Sequence, residues 1–129
     1  NAGINSWDAL KNKEKGRTTL ADELNTVPTT LPALMYAQKM QKRAARKGAF
    51  AQTAEDAAAA LEAAERGWEE AVPENAAERA GALLFAAANA MRLAGVDAEE
   101  ALTFASGRFR QELLQKTEDS DGQERPATV

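Results

Sequence analysis

Apolar residues recur with a helical period along most of the chain. The clearest case lies between residues 74 and 94, where Ala80, Leu83, Leu84, Ala87, Ala88 and Met91 fall at i, i+3, i+4, i+7, i+8 and i+11 and form one helical stripe. Pro73 precedes this helix and Gly95 stops it. Asp97 with Glu100 then forms a capping box for a last helix, on which Ala101, Leu102, Ala105, Phe109 and Leu113 are the core candidates. Upstream, Thr53 with Asp56 is a capping-box variant that opens a helix running to about Val72, its seam marked by Leu61, Trp68 and Val72. Before that, Thr30 caps a helix beginning LPALMYAQKMQKRAARKG, with Pro32 in the first turn and Gly48 at the end. Its apolar positions are Leu31, Leu34, Met35 and Ala37, continuing through Met40 and Ala44. A short helix from Ser6 to Lys15, carrying Trp7 and Leu10, opens the chain; the connector from Arg17 to Thr30 has room for one turn around Leu20 to Leu24.

Four substantial helices with short connections predict an all-α, antiparallel helical bundle. The chain divides into a short helix and connector (1–30), a helical domain (31–116) and the polar stretch TEDSDGQERPATV (117–129), whose composition predicts a disordered acidic tail. The core positions are mostly alanine, and each alanine buries little area. At ~25 cal/mol per Å² such a core is thin, so a homodimer that buries more is expected.

The absence of cysteine and histidine removes disulfides, thiol nucleophiles, imidazole bases and the usual zinc sites, so any metal must be held by oxygen. No window supplies the ~18 consecutive apolar residues of a membrane span, and no charged-then-apolar leader opens the sequence. The expected location is cytoplasmic, with no membrane partner. Of the formal net charge of -4, most comes from the tail, where Glu118, Asp119, Asp121 and Glu124 face only Arg125. The remaining body is close to neutral, which argues against a nucleic-acid partner.

An oxygen-ligated Mg²⁺ site on a helix calls for acids at i, i+3, which point two carboxylates the same way. Glu62 and Glu65 have that spacing, and Glu65, lying between Leu61 and Trp68 on the apolar seam, is expected to be partly desolvated. It would then pair with a metal or with a cation of the basic helix. That helix carries Lys39, Lys42, Arg43 and Arg46 on one stripe, either as a grip for a triphosphate or as a solvated face that neutralises neighbouring glutamates. No aromatic residues interleave with these charges to stack bases.

The runs WDALKNKEKG, LPALMYAQKMQKRAARKG and GALLFAAANAMRLAGVDAEEAL, followed by Arg108-Phe109, resemble the C-terminal part of the MazG family of all-α nucleoside triphosphate pyrophosphohydrolases, over residues 7 to 114. The resemblance implies a dimeric helical bundle that hydrolyses (d)NTPs to monophosphate and pyrophosphate, with Mg²⁺ held by an ExxE pair on one helix and an ExxD pair on the next. The chain departs from that pattern. At the ExxD position stands Arg79-Ala80-Gly81-Ala82, so both acids are missing. Glu62 and Glu65 match the ExxE spacing, whereas a gap-free alignment from Thr53 puts Gly67 and Glu70 there. Around the family's KFxRR-like stretch, with its asparagine and basic pair, this chain has Ser106, Arg108 and Glu112, and a GFDW-like stretch has become Gly48-Ala49-Phe50-Ala51.

The metal candidates are therefore Glu62, Glu65 and Glu70, and the phosphate candidates Lys39, Lys42, Arg43 and Arg108. Losing two of four ligands, one of them to an arginine, should weaken Mg²⁺ binding by orders of magnitude. The resulting expectation is a MazG-type C-terminal domain impaired in catalysis that serves dimerisation and fold support. WDALKNKEKG resembles the connector after an N-terminal repeat of the same protein, where hydrolysis would reside. Two alternatives stand beside this: an active Mg²⁺-dependent pyrophosphohydrolase with an improvised site at Glu65, Glu69 and Glu70, and a non-hydrolytic nucleotide-binding module using Lys39, Lys42, Arg43 and Arg108.

Overall fold

The computed structural model describes residues 18–50 and 53–124 and is all-helical over them. The helices are α1 (Leu20–Asn25), α2 (Ala33–Arg46), α3 (Ala54–Glu69), α4 (Ala76–Leu93) and α5 (Ala98–Glu124). The helix expected from Ser6 to Lys15 lies outside the described residues.

Local chemistry sets most of the ends. Thr19 and Asp22 close a reciprocal capping box on α1, with the Asp22 N–H donating to Thr19 Oγ1 at 3.1 Å and the Thr19 N–H to Asp22 Oδ2 at 3.3 Å. Thr53 caps α3 by accepting from the Asp56 N–H at 3.1 Å. Gly48 and Gly95, at φ 76° and 80°, take the left-handed turn that ends α2 and α4. At each, two N–H groups fold back onto the last turn: Gly48 to Ala45 O and Ala49 to Ala44 O, then Gly95 to Arg92 O and Val96 to Met91 O.

The start of α2 is a correction. Thr30 does not cap it; the helix begins at Ala33 with Pro32 at the cap position, and Pro32 offers no side-chain acceptor. The orphan N–H of Leu34 instead donates to Glu99 Oε1 of α5 at 3.2 Å. A tertiary contact thus replaces the local cap.

Helix α4 packs chiefly on α3 and also on α2, while α1 packs on α2 and the start of α5 lies against α2 and α4. Phe50, just beyond α2, meets Phe85 with ring centroids 6.1 Å apart. Among the described residues the buried apolar ones are Val27, Ala57, Ala88 and Ala98, so the centre is as thin as its alanines imply. Two of the six residues of the α4 stripe face outward: Ala88 is buried, but Leu84 is 58% and Met91 39% exposed. Among the described residues the apolar positions expected to be core on α5 are not covered either, since Leu102, Phe109 and Leu113 are all exposed. The reason is geometric: α5 is held by its first turn, at Ala98 and Glu99, and then runs on beyond the other helices. Helix continues past Lys116 to Glu124, through most of the stretch whose composition predicts disorder.

Candidate functional site

The junction of α3 and α4 is where an ExxE and an ExxD pair would meet. Near its C-terminus α3 leaves carbonyls without helical partners. The Glu70 N–H takes Arg66 O and the Ala71 N–H takes Trp68 O, so Gly67 O is passed over. Arg79, three residues into α4, reaches across and donates from Nη1 to Gly67 O at 2.8 Å in a part-buried setting. A guanidinium at the carbonyl end of a helix also meets the favourable end of the helix dipole. A Cβ at position 67 would meet Arg79 Cδ at 3.7 Å, an ordinary contact, so this approach does not require glycine.

The acids fall elsewhere. Glu62 pairs with Arg66 one turn along α3 at 3.9 Å, with both side chains largely in solvent. Glu65 is exposed, contrary to the expected desolvation, because Trp68 and Val72 of the same seam are themselves 46% and 48% exposed. It makes no ion pair with α2. Glu70 is exposed at the C-cap of α3. Among the described residues no three or more acids gather as a metal cage. A carbonyl engaged by a guanidinium is not a donor set for a divalent cation, so the residues at this junction do not fit Mg²⁺.

The basic stripe of α2 divides between two sides. Arg43 and Arg46 turn to Glu23 of α1, at 3.5 and 3.6 Å from its Oε1, and Thr18 Oγ1 donates to Glu23 Oε2 at 2.9 Å. The Thr18 hydroxyl first, then the two arginines, holds the Glu23 carboxyl below its ordinary range against the opposing effect of burial. The acid neutralised by this helix is therefore Glu23, which has no place in any motif. Arg108 pairs with Glu112 one turn on at 3.6 Å, exposed on α5. Lys39 and Lys42 lie on the other side of α2, along an open cleft of about 290 Å³ that they share with Met35, Gln38, Arg92 and the Gly95–Val96–Asp97 turn. The four phosphate candidates are thus not brought together.

Gln38 organises that cleft. Its Nε2 donates to Ala88 O at 2.9 Å and Val96 O at 3.1 Å, and its Oε1 accepts from the Ala98 N–H at 3.0 Å, tying α2 to both sides of the α4–α5 turn. The buried Gln41 ties α2 to α4 alone one turn later, donating from Nε2 to Phe85 O at 3.1 Å. Leu34, Gln38, Gln41 and Ala45 fall at i, i+4, i+7 and i+11, so the signal in the sequence was a pair of amides on a core-facing stripe.

No protein-family model matches the chain. Two curated relatives do, both called nucleoside triphosphate pyrophosphohydrolase, from Escherichia coli (strain K12) and Escherichia coli O157:H7. Each is 33% identical over 109 residues, covering 80% of this chain. Over most of its length the chain is similar to MazG-type proteins. It spans 41% of the length of those relatives. In this MazG homologue the ExxD counterpart begins with the arginine that grips Gly67 O and ends with the exposed Ala82. Among the described residues no helix is long and apolar enough to cross a membrane.

Proposed function

We propose that this chain is a MazG-type C-terminal domain whose own metal quartet is eroded, and that it serves dimerisation and structural support beside a catalytic N-terminal repeat. The observation that carries this reading is the Arg79–Gly67 bond. In the gap-free alignment, Arg79 and Gly67 are the leading residues of the two metal motifs, and a fixed cation links them directly. A monovalent guanidinium there keeps α3 and α4 together without magnesium and repels any divalent ion that approaches. Mg²⁺ and (d)NTP binding, expected from the family, have no assembled carboxylates to use at this junction.

The dimer reading draws on α5. This 27-residue helix, ~40 Å long at 1.5 Å per residue, is exposed from Ala101 to Asp119. Leu102, Ala105, Phe109 and Leu113 nevertheless keep a helical seam along it, and Leu84 and Phe85 stand uncovered on α4. A long helix gains most of its stability from packing an apolar face, so a second copy is the natural cover.

The test combines two measurements on the purified chain. Incubation with (d)NTPs and Mg²⁺ should give no pyrophosphate, while sedimentation should give a dimer that Phe109→Glu converts to monomer. Turnover that disappears in Glu65→Gln would instead establish a working enzyme, and a monomer at all concentrations would refute the dimerisation role.

A further inference from the structure

The cleft beside α2 collects cations that nothing in the fold neutralises. Arg43, Arg46, Arg66 and Arg108 each have a carboxylate partner, but Lys39, Lys42 and Arg92, which line this cleft, have no ion pair among the described residues. Arg92 is part-buried and fixed by its Nε donating to Asn89 Oδ1 at 2.9 Å, while its Nη2 is buried without a hydrogen-bond partner. The acid in the lining is Asp97, whose Oδ1 already accepts from the Glu100 N–H at 3.0 Å at the start of α5. Three cations against one carboxylate leave two positive charges in a cleft of about 290 Å³. Its floor is held by the three hydrogen bonds of Gln38, so the site is in place before anything binds.

We propose that this cleft is a metal-independent binding site for a tetrahedral dianion of the phosphate class. Arg92, lining the cleft and held in place by Asn89, supplies a fixed guanidinium, and Lys39 and Lys42 supply charge from the rim. The site lies apart from the Arg79–Gly67 junction and does not rest on whether the chain hydrolyses anything. The shared chemistry is the phosphoryl group, whether free or carried on a nucleoside monophosphate.

The experiment is an amide-resolved NMR titration of the chain with inorganic phosphate, in EDTA and at fixed ionic strength, with an adenosine monophosphate arm. Saturable shifts are expected at Gly95, Val96 and Asp97 and at the Arg92 side chain. The double variant Lys39→Gln/Lys42→Gln should weaken binding by at least about tenfold while its melting temperature stays unchanged, since both lysines are exposed. Arg92→Lys, which keeps the charge but not the fork, should weaken phosphate binding as well. Tighter binding of the monophosphate through the same amides assigns a nucleotide source, and equal or weaker binding assigns free phosphate. Shifts that never saturate, or that are identical in the double variant, overturn the proposal. Because metal is chelated and no turnover is read, either result leaves the dimerisation reading to its own test.

Discussion

Replacing Arg79 by alanine isolates the contact that joins α3 to α4. The variant removes one charge-assisted hydrogen bond of 2.8 Å and leaves Gly67 O, already passed over by the helix, without a donor. Hydrogen bonds to charged groups contribute ~1.5–3 kcal/mol, and a cation at a helix C-terminus adds ~0.3–1 kcal/mol. The setting is only part-buried, which favours the low end of both ranges. A loss of about 2 kcal/mol is expected, or about 8 °C in melting temperature for a domain of this size. Urea unfolding followed by helical circular dichroism reads the change directly, with wild type and variant at equal protein concentration so that any dimer contributes alike. Arg79→Lys should recover part of the loss, since a point charge keeps the dipole interaction but aims its donor less well. Chelation supplies the control: EDTA should leave the wild-type midpoint unmoved if the guanidinium does the joining. An Arg79→Ala midpoint within 0.5 kcal/mol of wild type, or a wild type that EDTA destabilises, would refute the reasoning.

Three further outcomes follow from the same contacts. Gly67→Ala should be neutral or stabilising by up to ~1 kcal/mol, because the added Cβ meets Arg79 Cδ at an ordinary 3.7 Å and helix propensity improves; a clear drop in thermal stability would show that the α3–α4 approach is closer than described. Gln38→Ala should cost about 2–3 kcal/mol by leaving Ala88 O, Val96 O and the Ala98 N–H unpaired, with hydrogen exchange accelerating first at the start of α5. The folded Glu23 carboxyl titrates below its ordinary 4.5, so the stability it contributes is complete above that value and is lost as the pH falls through the folded pKa; Glu23→Gln should flatten this acid limb in denaturation measured across pH.

The site was less legible than the fold. The sequence marks Arg79 as a misfit in the ExxD position but gives no hint that it finds Gly67, because the vacancy at that carbonyl arises from how the last turn of α3 unwinds. Glu65 reads as desolvated only if its seam faces inward, and a lone chain leaves Trp68 and Val72 in solvent. The basic stripe of α2 reads as one surface, yet a stripe of four cations is wide enough to straddle two neighbours, so Arg43 and Arg46 join Glu23 while Lys39 and Lys42 edge the cleft. Arg92 carried no motif at all; only its pairing with Asn89 and its place in the cleft distinguish it.

What the sequence determined by itself is helical identity, most helix ends and the likeness to MazG-type proteins. Caps at Thr19 and Thr53 and the left-handed turns at Gly48 and Gly95 join residues at most five positions apart, so they depend on residue type and backbone sterics alone. Only the tertiary structure decided that α2 takes its cap from Glu99, that Arg79 serves α3, and that the apolar seam of α5 lies open. The first two depend on side chains meeting across 65 and 12 residues, and the third on no element among the described residues packing against it. Such contacts exist only once packing has fixed the distance between helices, and no periodicity along the chain encodes that distance.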